Sequence, residues 1–231
     1  MKLEGWNVID EKAGVLWREY AFNKNAFATT LVFRGKDGLA VISPPMGLDD
    51  RAFDALREIG EVRALIANNT YHHMGQPAWR ARFPDAVSYC PPGAVEALNK
   101  KAKGVTFQPL DALALPPNVR WEDPPGFKTG EALLSVGTAK GSVWYGGDLL
   151  ANMPRLPPPP IKWLFTWTDS APGYRLFKLA TWLLVKDKKA LREWSLRRLA
   201  EDPPALVVPA HGPPVDAGDV AAQTRTQLER L

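Results

Sequence analysis

Two consecutive segments read Val62-Arg63-Ala64-Leu65-Ile66-Ala67, which is mostly apolar, and Asn68-Asn69-Thr70-Tyr71-His72-His73-Met74-Gly75, which is mostly polar. The first is typical of a buried strand and the second of the turn that follows it. A helix is predicted over residues 49 to 60, because apolar residues recur at helical spacing between a capping acid and a glycine. With a strand at residues 39 to 42, these elements form a β-α-β unit with parallel strands. In parallel sheets, ligand-binding sites lie just beyond the carboxyl ends of the strands.

The remaining patterns extend this alternation of strands and helices. Apolar runs at residues 14 to 22, 28 to 34 and 39 to 42 predict an antiparallel meander. The later predicted order is strand 86 to 90, helix 93 to 98, strands around Val119, Ala132 and Val143, helices 174 to 185 and 188 to 201, strand 205 to 208 and a closing helix from about Val215. Residues 153 to 161, with Pro154 and the run Pro157 to Pro160, predict an extended surface loop. We expect one domain over residues 1 to 231.

The composition is that of a folded globular chain. Its 231 residues are 45% apolar and 23% charged, with a net charge of +4, and this length can close a core of its own. The apolar content excludes a disordered chain, and the absence of a G-X-Y period excludes a collagen-like repeat. The single cysteine excludes a disulfide scaffold and a multi-cysteine zinc site. That residue, Cys90, ends an apolar strand before Pro91, so we expect it to be buried rather than nucleophilic.

Two segments bear on cellular location and membrane contact. Residues 1 to 6 contain Glu4 and Gly5 where a secretory signal needs an apolar stretch, so we expect a cytoplasmic protein. The most apolar window, residues 174 to 185, is shorter than the roughly 20 residues that cross a bilayer. We expect no membrane span, and we interpret this helix as buried in the core or as a homo-oligomer contact, with a membrane-surface helix as the alternative.

Positive charge is concentrated in residues 186 to 200, which contain six cationic and two acidic side chains. Leu191, Trp194 and Leu199 recur there at helical spacing, which predicts an amphipathic helix with a solvated basic face. Nucleic-acid binding needs basic residues interleaved with exposed stacking aromatics on a recognisable module, so we expect no nucleic-acid partner. Contact with anionic lipid or with an acidic substrate edge stays open.

The three histidines of the chain all follow predicted strands. His72 and His73 follow the strand at residues 62 to 67, and His211 follows the strand at residues 205 to 208. Asp148 follows the strand around Val143 in the same way. Imidazole nitrogen and carboxylate oxygen are ligands of zinc, iron and manganese. A single histidine is more often a structural polar residue, but the shared position of these four groups predicts a metal site.

The polar turn resembles a loop of the metallo-β-lactamase superfamily, whose usual form is H-x-H-x-D-H followed by x-G. In this alignment His73 matches the last histidine, His72 the aspartate, and Asn68 and Thr70 the first two histidines. Three segments resemble later motifs of the family in the same order: Pro125-Gly126-Phe127-Lys128-Thr129-Gly130, Gly147-Asp148-Leu149-Leu150 and Pro209-Ala210-His211-Gly212. Residues 82 to 86 and 91 to 93 are similar to an uncharacterised, divergent branch. The resemblance implies an α/β fold, an αββα four-layer sandwich of two mixed sheets flanked by helices.

The resemblance also implies that only one of the two metal sites of the family is retained. The family holds one ion with the first two loop histidines and the histidine of the next motif, and the equivalent positions here are Asn68, Thr70 and Phe127. The ligands of the other ion correspond to His72, His73, Asp148 and His211, which can all coordinate. One divalent ion is therefore expected, zinc first, with iron or manganese as alternatives. Ser43, before Pro44-Pro45, stands where an aspartate is usual.

The predicted function is hydrolysis of an ester, thioester, amide or phosphoester, in a small-molecule substrate, by metal-bound water. Asp148 is the predicted catalytic ligand, and Asn68 and Thr70 would hydrogen-bond substrate or water. One alternative is a non-catalytic protein with a structural or vestigial metal site that binds a hydrophobic ligand or a protein partner. Another is a mononuclear iron oxygenase, whose usual triad has two histidines rather than three. Trp163 and Trp167 could line an apolar pocket, but we expect them to fill the core.

Overall fold

The computed structural model describes residues 3–154, 156 and 158–231, with a large sheet in its first half. Over the described residues this sheet has seven strands, and their spatial order follows the chain. They are β1 (Asn7–Asp10), β2 (Val15–Asn23), β3 (Ala26–Arg34), β4 (Leu39–Ile42), β5 (Val62–Ile66), β6 (Val87–Cys90) and β7 (Phe107–Pro109). The pairs from β1 to β4 are antiparallel and the pairs from β4 to β7 are parallel, so the sheet is mixed.

A second mixed sheet comes from the later part of the chain. Its described strands are β8 (Val119–Glu122), β9 (Leu133–Thr138), β10 (Gly141–Tyr145) and, after two further strands, β13 (Pro204–Val208). They lie in the order β13-β10-β9-β8, and the β10–β13 pair is parallel. The strands between them in sequence, β11 (Leu150–Met153) and β12 (Gly173–Leu176), form a separate antiparallel ribbon.

The alternation of apolar side chains along the strands sets the layers. In β4, Ala40 and Ile42 face the second sheet, whereas Leu39 and Val41 face helices on the outer side. The helices are α1 (Asp50–Ile59), α2 (Gln76–Arg82), α3 (Val95–Lys101), α4 (Ile161–Trp167), α5 (Lys178–Leu184), α6 (Lys188–Glu201) and α7 (Val220–Leu228). α1 and α2 cover the first sheet, and α6 and α7 cover the second. The predicted αββα sandwich is confirmed.

Most of the predicted elements are present, but the region after β11 differs from its prediction. The helix predicted at residues 174 to 185 is wrong in its first part, because Gly173–Leu176 pairs with β11 as a strand and the helix begins at Lys178. α4 was not predicted. The predicted proline loop is described only in part, since Arg155 and Pro157 lie outside the described residues. The closing helix begins at Val220, because Val215 pairs with Val207.

The aromatic and basic residues of this region also correct two expectations. Trp163 and Trp167 do not fill the core, since both side chains are exposed. The predicted amphipathic helix is α6, but one of its cations is not solvated. Arg198 is buried and forms ion pairs with Glu122 and with Asp202, the latter at 2.7 Å. Within the described parts of the chain, no helix has the length and apolar character needed to cross a bilayer.

Cys90 is buried, as predicted, and burial disfavours reaction at its thiol. Its exposed fraction is 0%, and burial raises the pKa of its thiol to about 12. At pH 8 the thiolate population is then about a thousandfold smaller than for a free cysteine. We expect Ellman's reagent to leave Cys90 unmodified in the native protein and to modify it fully in denaturant. Rapid modification of the native protein would contradict a packed strand end at β6.

Candidate metal centre

The candidate site lies where strand ends from both sheets meet. Parallel pairing of β4 with β5 and of β10 with β13 brings four carboxyl ends to one side of the sandwich. Ser43 follows β4, the polar turn of residues 68 to 75 follows β5, Asp148 follows β10 and His211 follows β13. The sheets therefore assemble polar groups that are far apart in sequence.

Two imidazoles and one carboxylate converge at this place. Nε2 of His72 and Nε2 of His211 each lie 3.2 Å from Oδ1 of Asp148. The three ligand atoms lie within 4.8 Å of one another. His72 and Asp148 are buried, and His211 is half-buried. This is a compact set of donors that could hold one metal ion.

The other nitrogen of each imidazole is already engaged. Nδ1 of His211 donates to the carbonyl oxygen of Phe27 at 2.7 Å. Nδ1 of His72 lies 2.7 Å from Oγ of Ser43, which lies 2.9 Å from the hydroxyl of Tyr20. Such contacts fix ring orientation and leave Nε2 as the atom presented to the centre.

Behind Asp148, a second buried carboxyl group is tied to it through an asparagine. The amide nitrogen of Asn69 donates to Oδ2 of Asp148 at 2.7 Å and to Oε2 of Glu131 at 2.8 Å. The amide nitrogen of Asn68 donates to Oε1 of Glu131 at 2.7 Å. Glu131 has an exposed fraction of 0%. Asn69 therefore holds Asp148 in place while the centre-facing oxygen stays available.

The environment shifts the two carboxyl groups in opposite directions. Burial disfavours the charged form of Asp148, but the imidazoles of His72 and His211 outweigh burial and hold the pKa of Asp148 well below its usual range. Burial, followed by the charge of Asp148, raises the pKa of Glu131 well above its usual range. Burial also opposes the charged form of His211, but Asp148 outweighs it and raises the pKa of that imidazole. The charge that faces the imidazoles is thus on Asp148.

Glycines next to the ligands allow this close packing. Gly212 follows His211 with a φ of +97°, and a Cβ there would overlap the carbonyl oxygen of Asn152. Gly147 precedes Asp148 with a φ of +51°, and a Cβ there would overlap the carboxyl group of Glu131. Both positions combine a left-handed backbone with contact too close for any side chain. The glycines of the Gly-Asp and His-Gly motifs are therefore structural requirements of the site.

Aromatic side chains flank His211 on two sides. The ring of Phe177 lies 5.4 Å from the imidazole and the ring of Phe22 lies 6.0 Å from it, both nearly perpendicular to it. Edge-to-face packing of this kind restrains the imidazole and gives the centre an apolar border.

The structure brings together three of the four predicted ligands, namely His72, Asp148 and His211. His73 is not part of this group, and its Nδ1 is buried without a hydrogen-bond partner among the described residues. Burial, followed by the charge of Lys101, lowers the pKa of His73.

The residues that the resemblance aligns with the ligands of a second ion differ in their surroundings. Asn68 is fully buried and donates to Glu131. Thr70 is half-buried, and its carbonyl oxygen accepts from Nζ of Lys101 at 3.1 Å. Phe127 packs in the apolar cluster on the outer side of the second sheet.

Several residues of the site were not singled out from the sequence. Glu131 left one signal, a lone acid at the start of an apolar run, directly after Gly130. Asn69 lies in the polar turn after β5, but an asparagine there gives no indication of two carboxylate partners. Ser43, by contrast, was noted in the sequence because the resemblance leads one to expect an aspartate there, and its Oγ lies 2.7 Å from Nδ1 of His72 and so supports that ligand.

Solved structures of metallo-β-lactamases share this architecture. An enzyme from Erythrobacter litoralis superposes with a TM-score of 0.64, over 100% of this chain and 99% of its own, at 15% identity. DIM-1 superposes with a TM-score of 0.62, over 97% of this chain and 96% of its own, at 13% identity. FIM-1 from Pseudomonas aeruginosa, in its mono-zinc form, superposes with a TM-score of 0.57, over 97% of this chain and 94% of its own, at 15% identity. No protein-family model and no curated protein sequence matches the chain. At these identities the likeness is one of fold.

Proposed function

We propose that this chain, which has the metallo-β-lactamase fold, is a metal-dependent hydrolase. In this proposal one divalent ion is held by His72, Asp148 and His211. The observation that carries the proposal is the convergence of two Nε2 atoms and one carboxylate oxygen within 4.8 Å of one another. Each imidazole uses Nδ1 for another contact, so Nε2 is the nitrogen that it offers to an ion.

The donor set fits a divalent cation. A carbonyl oxygen can only accept, so Nδ1 of His211 carries a proton and, in the neutral ring, the lone pair of Nε2 faces Asp148. A lone pair and a carboxylate oxygen repel each other at 3.2 Å unless a proton or a cation lies between them. In the metal-free protein a proton on His211 meets this need, in line with its raised pKa. A divalent ion would meet the same need at His211 and could accept the Nε2 lone pair of His72 as well.

Three protein ligands leave a coordination position open, which is typical of catalytic rather than structural zinc sites. When bound, such an ion lowers the pKa of a coordinated water to about 7 and polarises a carbonyl or phosphoryl oxygen. The residues of the chain orient the ligands, because Ser43 and the Phe27 carbonyl fix the two imidazoles and Asn69 holds Asp148. The mono-zinc form of FIM-1 supports a one-ion centre in this fold. The proposed substrate is a small ester, thioester, amide or phosphoester.

Metal content and hydrolysis, measured on the same preparations, test the proposal. We expect the wild-type protein to bind about one equivalent of metal and to hydrolyse one class of chromogenic ester, thioester, amide or phosphodiester. His72→Ala and His211→Ala should lose the metal, with hydrolysis reduced at least about 100-fold. His73→Ala is the matched control, since it removes the neighbouring imidazole, and it should retain the metal.

The outcomes separate the alternatives. Two equivalents of metal in the wild type, or loss of metal in His73→Ala, contradicts the three-ligand centre. One equivalent of metal without hydrolysis of any class overturns the hydrolase and supports a structural or vestigial site in a binding protein.

The donor set favours one further candidate, a mononuclear iron oxygenase. Two histidines and one carboxylate are the usual ligands of such enzymes. The group described here has this composition, because His73 is not part of it. Purification under nitrogen, followed by metal analysis and measurement of oxygen uptake, distinguishes the two. Bound iron with substrate-dependent oxygen uptake supports the oxygenase, whereas bound zinc without oxygen uptake contradicts it.

A further inference from the structure

An exposed apolar surface lies on α4 and α5. We call it the tryptophan face, and its residues are Ile161, Trp163, Leu164, Trp167, Trp182 and Leu183. The described part of the chain exposes nine large apolar side chains, and six of them belong to the tryptophan face. Trp167 is 81% exposed, Trp163 67% and Trp182 64%. Clustered apolar exposure of this kind marks a binding surface.

Packing against the described residues does not explain the exposure of the tryptophan face. None of the residues of α4, all of which are described, is buried. The helix is attached through Phe165, whose ring lies 5.8 Å from that of Phe177. A seven-residue helix has little stability of its own in water. We therefore expect a partner surface to cover α4.

The charges around the tryptophan face indicate the sign of that partner. Residues 158 to 190 contain six cationic and two acidic side chains. Their excess of four positive charges equals the net charge of the whole chain. Of the two acids, Asp187 caps α6, and Asp169 contacts three cations, Arg175, Lys178 and Arg230. Asp169 neutralises only one of the three positive charges that it contacts, so cations remain in excess on this surface.

The apolar and cationic groups share one cleft. Trp167 and Trp182 line a cleft of about 320 Å³ together with Lys178, Lys188 and Arg230. Indole rings favour the boundary between water and hydrocarbon, and nearby cations are attracted to anionic headgroups. The cleft thus combines the two properties of a surface that binds at the interface of a charged membrane.

We propose that the tryptophan face docks on an anionic lipid bilayer, with its tryptophans at the headgroup boundary and the surrounding cations against the lipid phosphates. A second copy of this chain is a poorer occupant, because pairing the same faces would bring two positive surfaces together. The docking is peripheral, since no helix of the described chain can cross a bilayer. It is independent of the proposed hydrolase activity.

Docking would also orient the candidate centre. Phe177 contacts Phe165 of α4 on one side and His211 on the other. The metal ligands therefore lie one aromatic ring away from the helix that meets the membrane, and the centre would open close to the bilayer surface.

Co-sedimentation with lipid vesicles tests the proposal. We expect the full chain to bind vesicles containing about 30% phosphatidylglycerol in phosphatidylcholine, and to bind pure phosphatidylcholine at least tenfold more weakly. The triple variant Trp163→Ala, Trp167→Ala, Trp182→Ala should lose binding to both. Lys188→Glu with Lys189→Glu should lower the partition coefficient roughly fivefold or more per cation replaced.

Two controls accompany the charge variant Lys188→Glu with Lys189→Glu. Acidic residues in the first turn of α6 stabilise the helix, so the circular dichroism of the variant protein should match that of the wild type. The control pair Lys12→Glu and Lys36→Glu carries the same charge change on turns at the opposite end of the first sheet, and it should bind as the wild type does. Absence of binding to anionic vesicles, equal binding to neutral ones, or concentration-dependent dimerisation abolished by the tryptophan variant would each overturn lipid docking.

Discussion

Replacing Asp148 with asparagine should lower metal affinity by more than about 100-fold, since changes even to groups behind the ligands cost about 10- to 100-fold. The substitution keeps the size of the side chain but removes the charge that two imidazoles face at 3.2 Å. Competition with a chromophoric chelator measures the affinity, and hydrolysis measured on the same sample should fall with it. Asp49→Asn is the control, because Asp49 caps α1 and asparagine caps equally well.

The same variant makes a separate prediction for the metal-free protein. The pKa of Asp148 is lowered in the folded state, so its stabilising effect is present above its unfolded pKa of 3.8 and is lost as pH falls through its folded pKa. The pKa of His211 is raised, so its contribution is present below 6.5 and is lost as pH rises through its folded value. Asp148→Asn should therefore lower the free energy of unfolding most between these limits, by about 3 to 5 kcal/mol.

Chemical denaturation at several pH values, in the presence of a chelator, measures this difference. A free energy of unfolding that differs between the two proteins by a constant amount from pH 3 to pH 9 would show that the ion pair is not the cause.

The sequence predicted the part of the site that depends on sheet topology. The β-α-β pattern places the turn after β5 at a parallel strand end, and Asp148 and His211 follow β10 and β13 in the same way. Glycine motifs mark these positions because side chains at Gly147 and Gly212 would overlap neighbouring groups. Periodicity and turn chemistry are local properties, so a single sequence carries them.

What the sequence could not predict depends on direction and on distant partners. His72 and His73 are adjacent and chemically identical, and only the path of the turn sends His72 to the centre. The apolar window of residues 174 to 185 predicts one helix, but β11 provides a strand with which Gly173–Leu176 pairs. Glu131 acquires its role from Asn68 and Asn69, more than sixty residues earlier in the chain.

The hydrogen-bond network around Glu131 should also contribute to the stability of the fold. Its two oxygens accept from the amides of Asn68 and Asn69, and Asn69 in turn holds Asp148. All of these side chains are buried, so water cannot replace a partner that is removed. Each unsatisfied buried donor costs about 1 to 3 kcal/mol.

Glu131→Ala should lower the free energy of unfolding by about 2 to 6 kcal/mol, because it leaves two buried donors without acceptors. It should also weaken metal binding by about 10- to 100-fold, since Asn69 then no longer holds Asp148 in one position. Glu131→Gln keeps one acceptor oxygen and the volume of the side chain, so its cost should be about half of that of the alanine variant. Glu96→Ala removes an exposed pair with Lys100 and should cost less than about 1 kcal/mol. Urea denaturation of the four proteins, with and without chelator, measures the series. If Glu131→Ala is as stable as Glu96→Ala, the buried network does not hold the site together.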